Sequence, residues 1–262
     1  MRRPARVTGI PVPSHPPDHP DEVHWKEVLP QALLDALDAG FEKFDAIVVD
    51  EGQDMAEEWW LHLKLCLNDP DQGILYAFID TRQLIFGHGG DFLDDLPIFQ
   101  LSANLRNTRQ IHYLGQRFSR NHNLIPRGPE GRQPEIVALP DNTDLKRGLG
   151  RVLHRLINEE KVPAEDIAIL LGRRPESVGL PRGGSIGAFP ITNALEPAPG
   201  KVTLETIHRF KGMEAPVIIL SGLDGMHPST AETLLYIGIT PAKGHLVVPE
   251  KAEVLARWGF GE

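Results

Sequence analysis

Apolar residues at Trp25, Val28, Leu29, Leu33, Leu34 and Leu37 share one face of a 3.6-residue period, so a helix is predicted over 25–37, stopped at Gly40. The pattern then changes. Phe44-Asp45-Ala46-Ile47-Val48-Val49 is a β-branched, apolar run that predicts a buried strand over 45–50, carrying Asp50 and Glu51 to its end. A helix from about Ala56 to Leu67 follows, ended by Asn68-Asp69-Pro70. Strand 74–79 comes next, then a short strand in Ile98-Phe99-Gln100-Leu101. Beyond a domain break near Ala103-Asn104, the pattern predicts helix 107–120, strand 135–139, helix 144–159 and strand 167–171. Residues 172–200 are dense in Gly and Pro and read as loop with at most one short strand or helix. Strand 201–206, strand 216–220, helix 229–239 and strand 245–248 complete an alternation typical of a mostly parallel α/β sheet with helices on its faces.

Residues 1–24 hold six prolines and three histidines among few large apolar side chains, and read as a disordered leader. Proline-broken spacing gives those histidines no i, i+4 metal pair. The single cysteine, Cys66, excludes an internal disulfide and a multi-cysteine metal site, and falls on an apolar helix face. No apolar run approaches membrane-spanning length and no secretory signal is apparent, so a cytoplasmic location is expected. A net charge of −9 argues against coating nucleic acid by bulk electrostatics, although a local basic groove is compatible with it. Arg106, Arg109, Arg117 and Arg120 cluster near one predicted helix, a weak sign of a phosphate-backbone track.

Two adjacent carboxylates at a strand end are what a nucleotide hydrolase needs, one to hold Mg²⁺ and one to orient water; they are equally what a solvated turn contains. Four further segments occur in order: Phe78-Ile79-Asp80-Thr81-Arg82-Gln83-Leu84-Ile85-Phe86-Gly87, Leu101-Ser102-Ala103-Asn104-Leu105-Arg106-Asn107-Thr108, Val202 to Glu214, and Leu235-Tyr236-Ile237-Gly238-Ile239-Thr240-Pro241-Ala242-Lys243. With Asp50-Glu51-Gly52-Gln53-Asp54 as motif II, usually Asp-Glu-Ala-Gln-Asp, they resemble motifs III, IV, V and VI of the superfamily 1 helicases of UvrD/Rep type. Thr206-Ile207-His208-Arg209-Phe210-Lys211-Gly212-Met213-Glu214, similar to Thr-x-His-x-x-Lys-Gly-Leu-Glu, is the most specific.

The resemblance implies RecA-like, P-loop-NTPase-type parallel sheets: a partial first domain over 25–104 and a complete second domain over 105–262. It implies Mg²⁺ and ATP as ligands and single-stranded DNA as partner. Asp50 would hold Mg²⁺, Glu51 would orient the attacking water, Gln83 would couple the terminal phosphate to the nucleic-acid groove, and Arg106 would contact that phosphate. Gln53, Gly212 and Glu214 would belong to the nucleotide site, Glu214 reaching the ribose. Phe86, His88, Thr206, His208 and Lys211 would face the strand, with Phe86 standing for the family's tyrosine and His88 for its stacking tryptophan. Taken singly, Phe86 reads equally as core packing and Arg106 as a domain-joining ion pair.

Two departures are as informative. No Gly-x-x-x-x-Gly-Lys-Ser/Thr occurs; Pro199-Gly200-Lys201-Val202-Thr203 comes nearest, but Leu195 stands where the first glycine belongs and the segment follows motif IV. The motif VI arginine after Thr240 is Pro241, and a transition-state arginine is worth roughly 10³-fold or more in turnover. A degenerate or truncated helicase core unable to hydrolyse ATP alone is the expectation. The alternatives are an ATP-independent single-strand-binding or regulatory module, and one part of a split helicase whose partner supplies the phosphate loop and a missing strand. In the family that strand lies between those matching 74–79 and 97–101, so strand 97–101 is expected either to close the gap or to flank a donated strand.

Overall fold

A computed structural model describes residues 23–83, 97–119, 124–141, 143–180 and 183–260. The chain forms two compact units, Met1–Phe99 and Gln100–Glu262. The division falls slightly before Ala103-Asn104 because β3 (Ala103–Asn104) pairs with β4 (Ile125–Pro126) inside the second unit.

In the first unit a π-helical turn, His24–Val28, runs into α1 (Leu29–Asp38). His24, assigned to the leader from sequence, is therefore ordered, and it is buried. β1 (Ala46–Val49) is followed by α2 (Glu57–Leu65) and by β2 (Ile74–Ala77), and β1 pairs with β2 in parallel. The Trp59 indole N–H donates to the Trp25 carbonyl at 2.8 Å and the two indoles stack, which fastens α2 to the turn before α1.

β1 is not the buried strand its composition predicts: Val49 is buried, but Val48 is 63% exposed, and Tyr76 beside it in the ladder is 59% exposed. Ala46, Val48, Ile74 and Tyr76 share one open face by alternation, while Ile47, Val49, Leu75 and Ala77 lie on the other. The strand expected at 97–101 does not form, and Ile98, Phe99 and Leu101 stand exposed. An apolar run becomes a strand only where a neighbouring backbone can pair with it, and no such neighbour meets this run among the described residues. It therefore does not close the sheet.

The second unit is built on a seven-stranded sheet of order β5-β11-β10-β6-β9-β8-β7. Its elements are α3 (Arg109–Gln116), β5 (Glu135–Leu139), α4 (Leu145–His154) with a π-helical extension Arg155–Glu159, β6 (Ile167–Leu171), β7 (Gly184–Ile186), β8 (Phe189–Thr192), β9 (Val202–Thr206), α5 (Ile207–Phe210), β10 (Ala215–Ser221), α6 (Pro228–Ile239), β11 (Ala242–Lys251) and α7 (Ala252–Arg257). All sheet pairings are parallel except β7 with β8. Central strands of a parallel sheet are covered on both faces, and every residue of β6 is buried. One face packs Leu149, Leu153 and Leu156 against Ile167, Ile169, Val217 and Ile219. On the other, α6 approaches closely: a Cβ at Gly238 would lie 2.8 Å from a Leu220 methyl.

Helix 107–120 is shorter than predicted because Thr108 has extended backbone and serves as the N-cap residue of α3. Segment 172–200 holds more than one short element: a 3₁₀ turn at Pro175–Val178 and the β7–β8 hairpin, whose two-residue turn begins at Gly187 with φ 60°. Among the described residues no helix is long and apolar enough to cross a membrane.

Candidate functional site

Asp50 follows β1 directly, and its Oδ1 accepts the Glu51 backbone N–H at 3.0 Å. Glu51 has left-handed backbone, φ 55° and ψ 38°, a conformation costing a non-glycine residue about 1–2 kcal/mol. It is held there from both sides. The Gln53 amide donates to Glu51 Oε2 at 2.6 Å, and Gly52 N–H donates to the Phe78 carbonyl at 2.9 Å.

Gln53 is buried, and its Oε1 accepts the Asp80 N–H at 3.0 Å. Asp80 Oδ2 in turn accepts from the Gln83 amide at 2.9 Å, while Oδ1 takes the Arg82 Nε–H at 2.7 Å. A continuous chain of hydrogen bonds thus joins Asp50, Glu51, Gln53, Asp80 and Gln83. Phe86 and His88 lie outside the described residues.

Mg²⁺ is commonly held through one or two carboxylates plus ligand phosphates and waters. Exposed Asp50 fits that mode in part. Among the described residues no group of three or more His, Cys, Asp or Glu side chains could hold a metal by itself.

In the second unit, Arg106 Nε lies 3.5 Å from Glu214 Oε2, and the Lys243 ammonium contacts Glu214 Oε1. The three segments that carry these side chains are sewn together by their backbones. Asn107 Nδ2 donates to the carbonyls of Thr240 and Ala242 at 2.8 and 2.7 Å, Thr108 N–H donates to the Lys243 carbonyl at 3.2 Å, and Ala215 N–H to that of Pro241 at 3.1 Å. Asn104 Oδ1 accepts the Arg106 N–H at 3.0 Å. Arg106 therefore pairs within its own unit, with the residue predicted to share its nucleotide site.

Thr206, His208 and Lys211 belong to a different edge. Thr206 closes β9 and caps α5, accepting the Arg209 N–H at 3.3 Å. β9 and β10 run in the same direction through β6, so the end of β9 and the start of β10 lie at opposite edges of the sheet, an edge here being a row of strand ends. Residues 207–214 cross from one edge to the other, and Gly212 turns the chain with φ 81°, where a side chain would be strained. His208 is exposed, yet the protein around it desolvates it enough to lower its pKa below the ordinary value.

The arginine cluster disperses. Arg109 pairs with Glu130 at 3.0 Å, Arg117 donates to the Gly259 carbonyl at 2.6 Å, and Arg120 lies outside the described residues. Sequence reading gave no role to Asp80, Asn107 or Lys243. The signal for Lys243 was available: it is the first cation after Pro241.

No protein-family model matches the chain, and no curated protein gives a significant match. Among solved structures the chain is similar to the C-terminal domain of a possible DNA helicase from Lactobacillus plantarum WCFS1, with 18% identity, 59% of this chain and 93% of that one covered, and a TM-score of 0.43.

Proposed function

We propose that the chain is a degenerate superfamily 1 helicase core of UvrD/Rep type, of ATP-driven 3′-to-5′ DNA translocase ancestry, unable to hydrolyse ATP alone. One observation carries the reading: Arg106, Glu214 and the Thr240–Ala242 segment, distant in sequence and matching three different motifs, meet at one sheet edge. The Asp50-to-Gln83 hydrogen-bond chain supports it from the first unit.

In this reading Asp50 faces a Mg²⁺–ATP complex, whose metal would polarise the terminal phosphate. Glu51, fixed by Gln53, orients water, and Gln83, tied to Asp80, couples the terminal phosphate to the nucleic-acid groove. Arg106 offers charge to the phosphate, and Glu214, beside Gly212, reaches the ribose. Thr206, His208 and Lys211, with Phe86 and His88, face single-stranded nucleic acid at the other edge. The absent glycine-lysine loop leaves the phosphates without a backbone cradle, so turnover fails. DNA-stimulated ATPase of the purified chain tests this: no turnover is expected, and turnover abolished by Glu51→Gln refutes it.

A second reading, a split helicase, is favoured by the pairing of β1 with β2 alone among the described residues, which leaves strand borders for a further strand to join. Two parallel strands seldom suffice as a sheet, and a partner polypeptide bearing the phosphate loop would add a third. Light scattering that finds only monomer when candidate partner chains are co-expressed removes this reading.

A further inference from the structure

We infer that Lys243 supplies, two residues late, the positive charge that Pro241 cannot, and that Arg106 and Lys243 form a paired site for the terminal phosphate of a polyphosphate ligand. The inference rests on the reading above for the identity of the ligand, and on geometry for the site. Each cation takes a different oxygen of Glu214, so the two flank a slot one carboxylate wide. A terminal phosphate presents three oxygens to the same slot.

The slot is built rather than incidental. Arg106 leaves a turn fixed by Asn104, Glu214 precedes a residue bonded to the Pro241 carbonyl, and Lys243 gives its own carbonyl to Thr108. These bonds fix the backbone from which both cations project, and the shared Glu214 carboxylate holds their ends side by side. They are also reachable, since the Arg106, Lys243 and Glu214 side chains are 51%, 47% and 40% exposed.

Energetics favour exchange. An ion pair this exposed contributes little to stability, so Glu214 is a weak occupant. A terminal phosphate brings about two negative charges against one, and it meets Arg106 through charge-assisted hydrogen bonds. Glu214 then swings away, free to meet the ribose. The second unit consequently retains both cations of its half-site, and the defect in turnover lies with the missing loop alone.

Calorimetric titration of the full chain with inorganic tripolyphosphate at low ionic strength tests the site. Lys243→Gln and Arg106→Gln are each expected to weaken binding about tenfold, the scale of one charge-assisted contact. Glu214→Gln, which removes the competing carboxylate, is expected to strengthen it. Lys146→Gln, on the exposed face of α4, is expected to leave it unchanged. No binding, insensitivity to Lys243→Gln, or weakening by Glu214→Gln overturns the inference. A parallel titration with a labelled single-stranded oligonucleotide separates the two conclusions. Salt-sensitive strand binding that persists while tripolyphosphate fails overturns the Lys243 site and leaves the helicase reading standing.

Discussion

The Asn107 side-chain amide donates to the carbonyls of both Thr240 and Ala242, so one residue brackets Pro241 from the opposite side of the site. The Pro241 carbonyl between them accepts the Ala215 N–H, so three successive carbonyls of this turn are satisfied from neighbouring segments. Asn107→Leu leaves the buried Ala242 carbonyl unsatisfied and is expected to destabilise the second unit by about 1–3 kcal/mol. Hydrogen exchange of the amides in β11 and α3, faster in the variant, checks it.

Gly52 has no room for a side chain, and Trp60 supplies the reason. A Cβ at Gly52 would meet the Trp60 ring at 3.1 and 3.2 Å and an Ile79 carbon at 3.3 Å. Trp60 is fully buried and has nowhere to retreat. Gly52→Ala is expected to cost about 1 kcal/mol, at the low end for overpacking, and pairing it with Trp60→Phe should recover most of the loss in urea denaturation.

Glu250 is buried at the end of β11, where its carboxylate accepts the Leu223 N–H at 2.7 Å and the Lys251 N–H at 3.3 Å. Burial is the largest influence and raises its pKa above the ordinary 4.5; nearby Asp224 adds to the rise, and the backbone donors oppose it. The folded state therefore binds the proton more tightly than the unfolded chain. Its contribution to stability is full below 4.5 and is lost as pH climbs through the raised value. The stability difference between the parent and Glu250→Gln, followed by denaturation midpoints from pH 4 upward, should move in favour of the glutamine variant.

Arg155 joins β5 to the π-helical end of α4, contacting Glu135 at 3.2 and 2.5 Å and Glu160 at 2.7 Å. The Glu135 hydrogen bond raises the guanidinium pKa, and Arg132 beside Glu160 holds that carboxyl below its ordinary value. A single ammonium cannot span both carboxylates. Arg155→Lys is expected to cost about 1 kcal/mol, measurable as a lowered urea midpoint.

Strands 135–139 and 167–171 were legible to the residue because each is an apolar run with breakers at both ends, the first paired in parallel with β11 at the border of the sheet and the second paired in parallel on both sides. β1 and β2 were legible as strands but not in their exposure, since β-branched composition says nothing about what covers a face. Ile98 to Leu101 misled for a related reason: the run has the composition of a strand and no ladder to join. The β7–β8 hairpin was hidden by its own breakers, Gly187 in the turn and Pro190 inside β8. At the site, Arg106 and Glu214 could be named from motif order. Their contact, and the place of Lys243 beside them, depends on the alignment of β10 with β11, which no single segment encodes.

At one border the sheet of the second unit ends in a three-residue strand that begins at Gly184 and follows Gly183, both with positive φ. So short and bent a border gives an intruding chain little to hold. The strand pair of the first unit has no such guard, and Val48, Ile74, Tyr76 and Phe78 are open to contact. Solubility at high concentration is thus governed by the smaller unit, and clumping on storage should begin there.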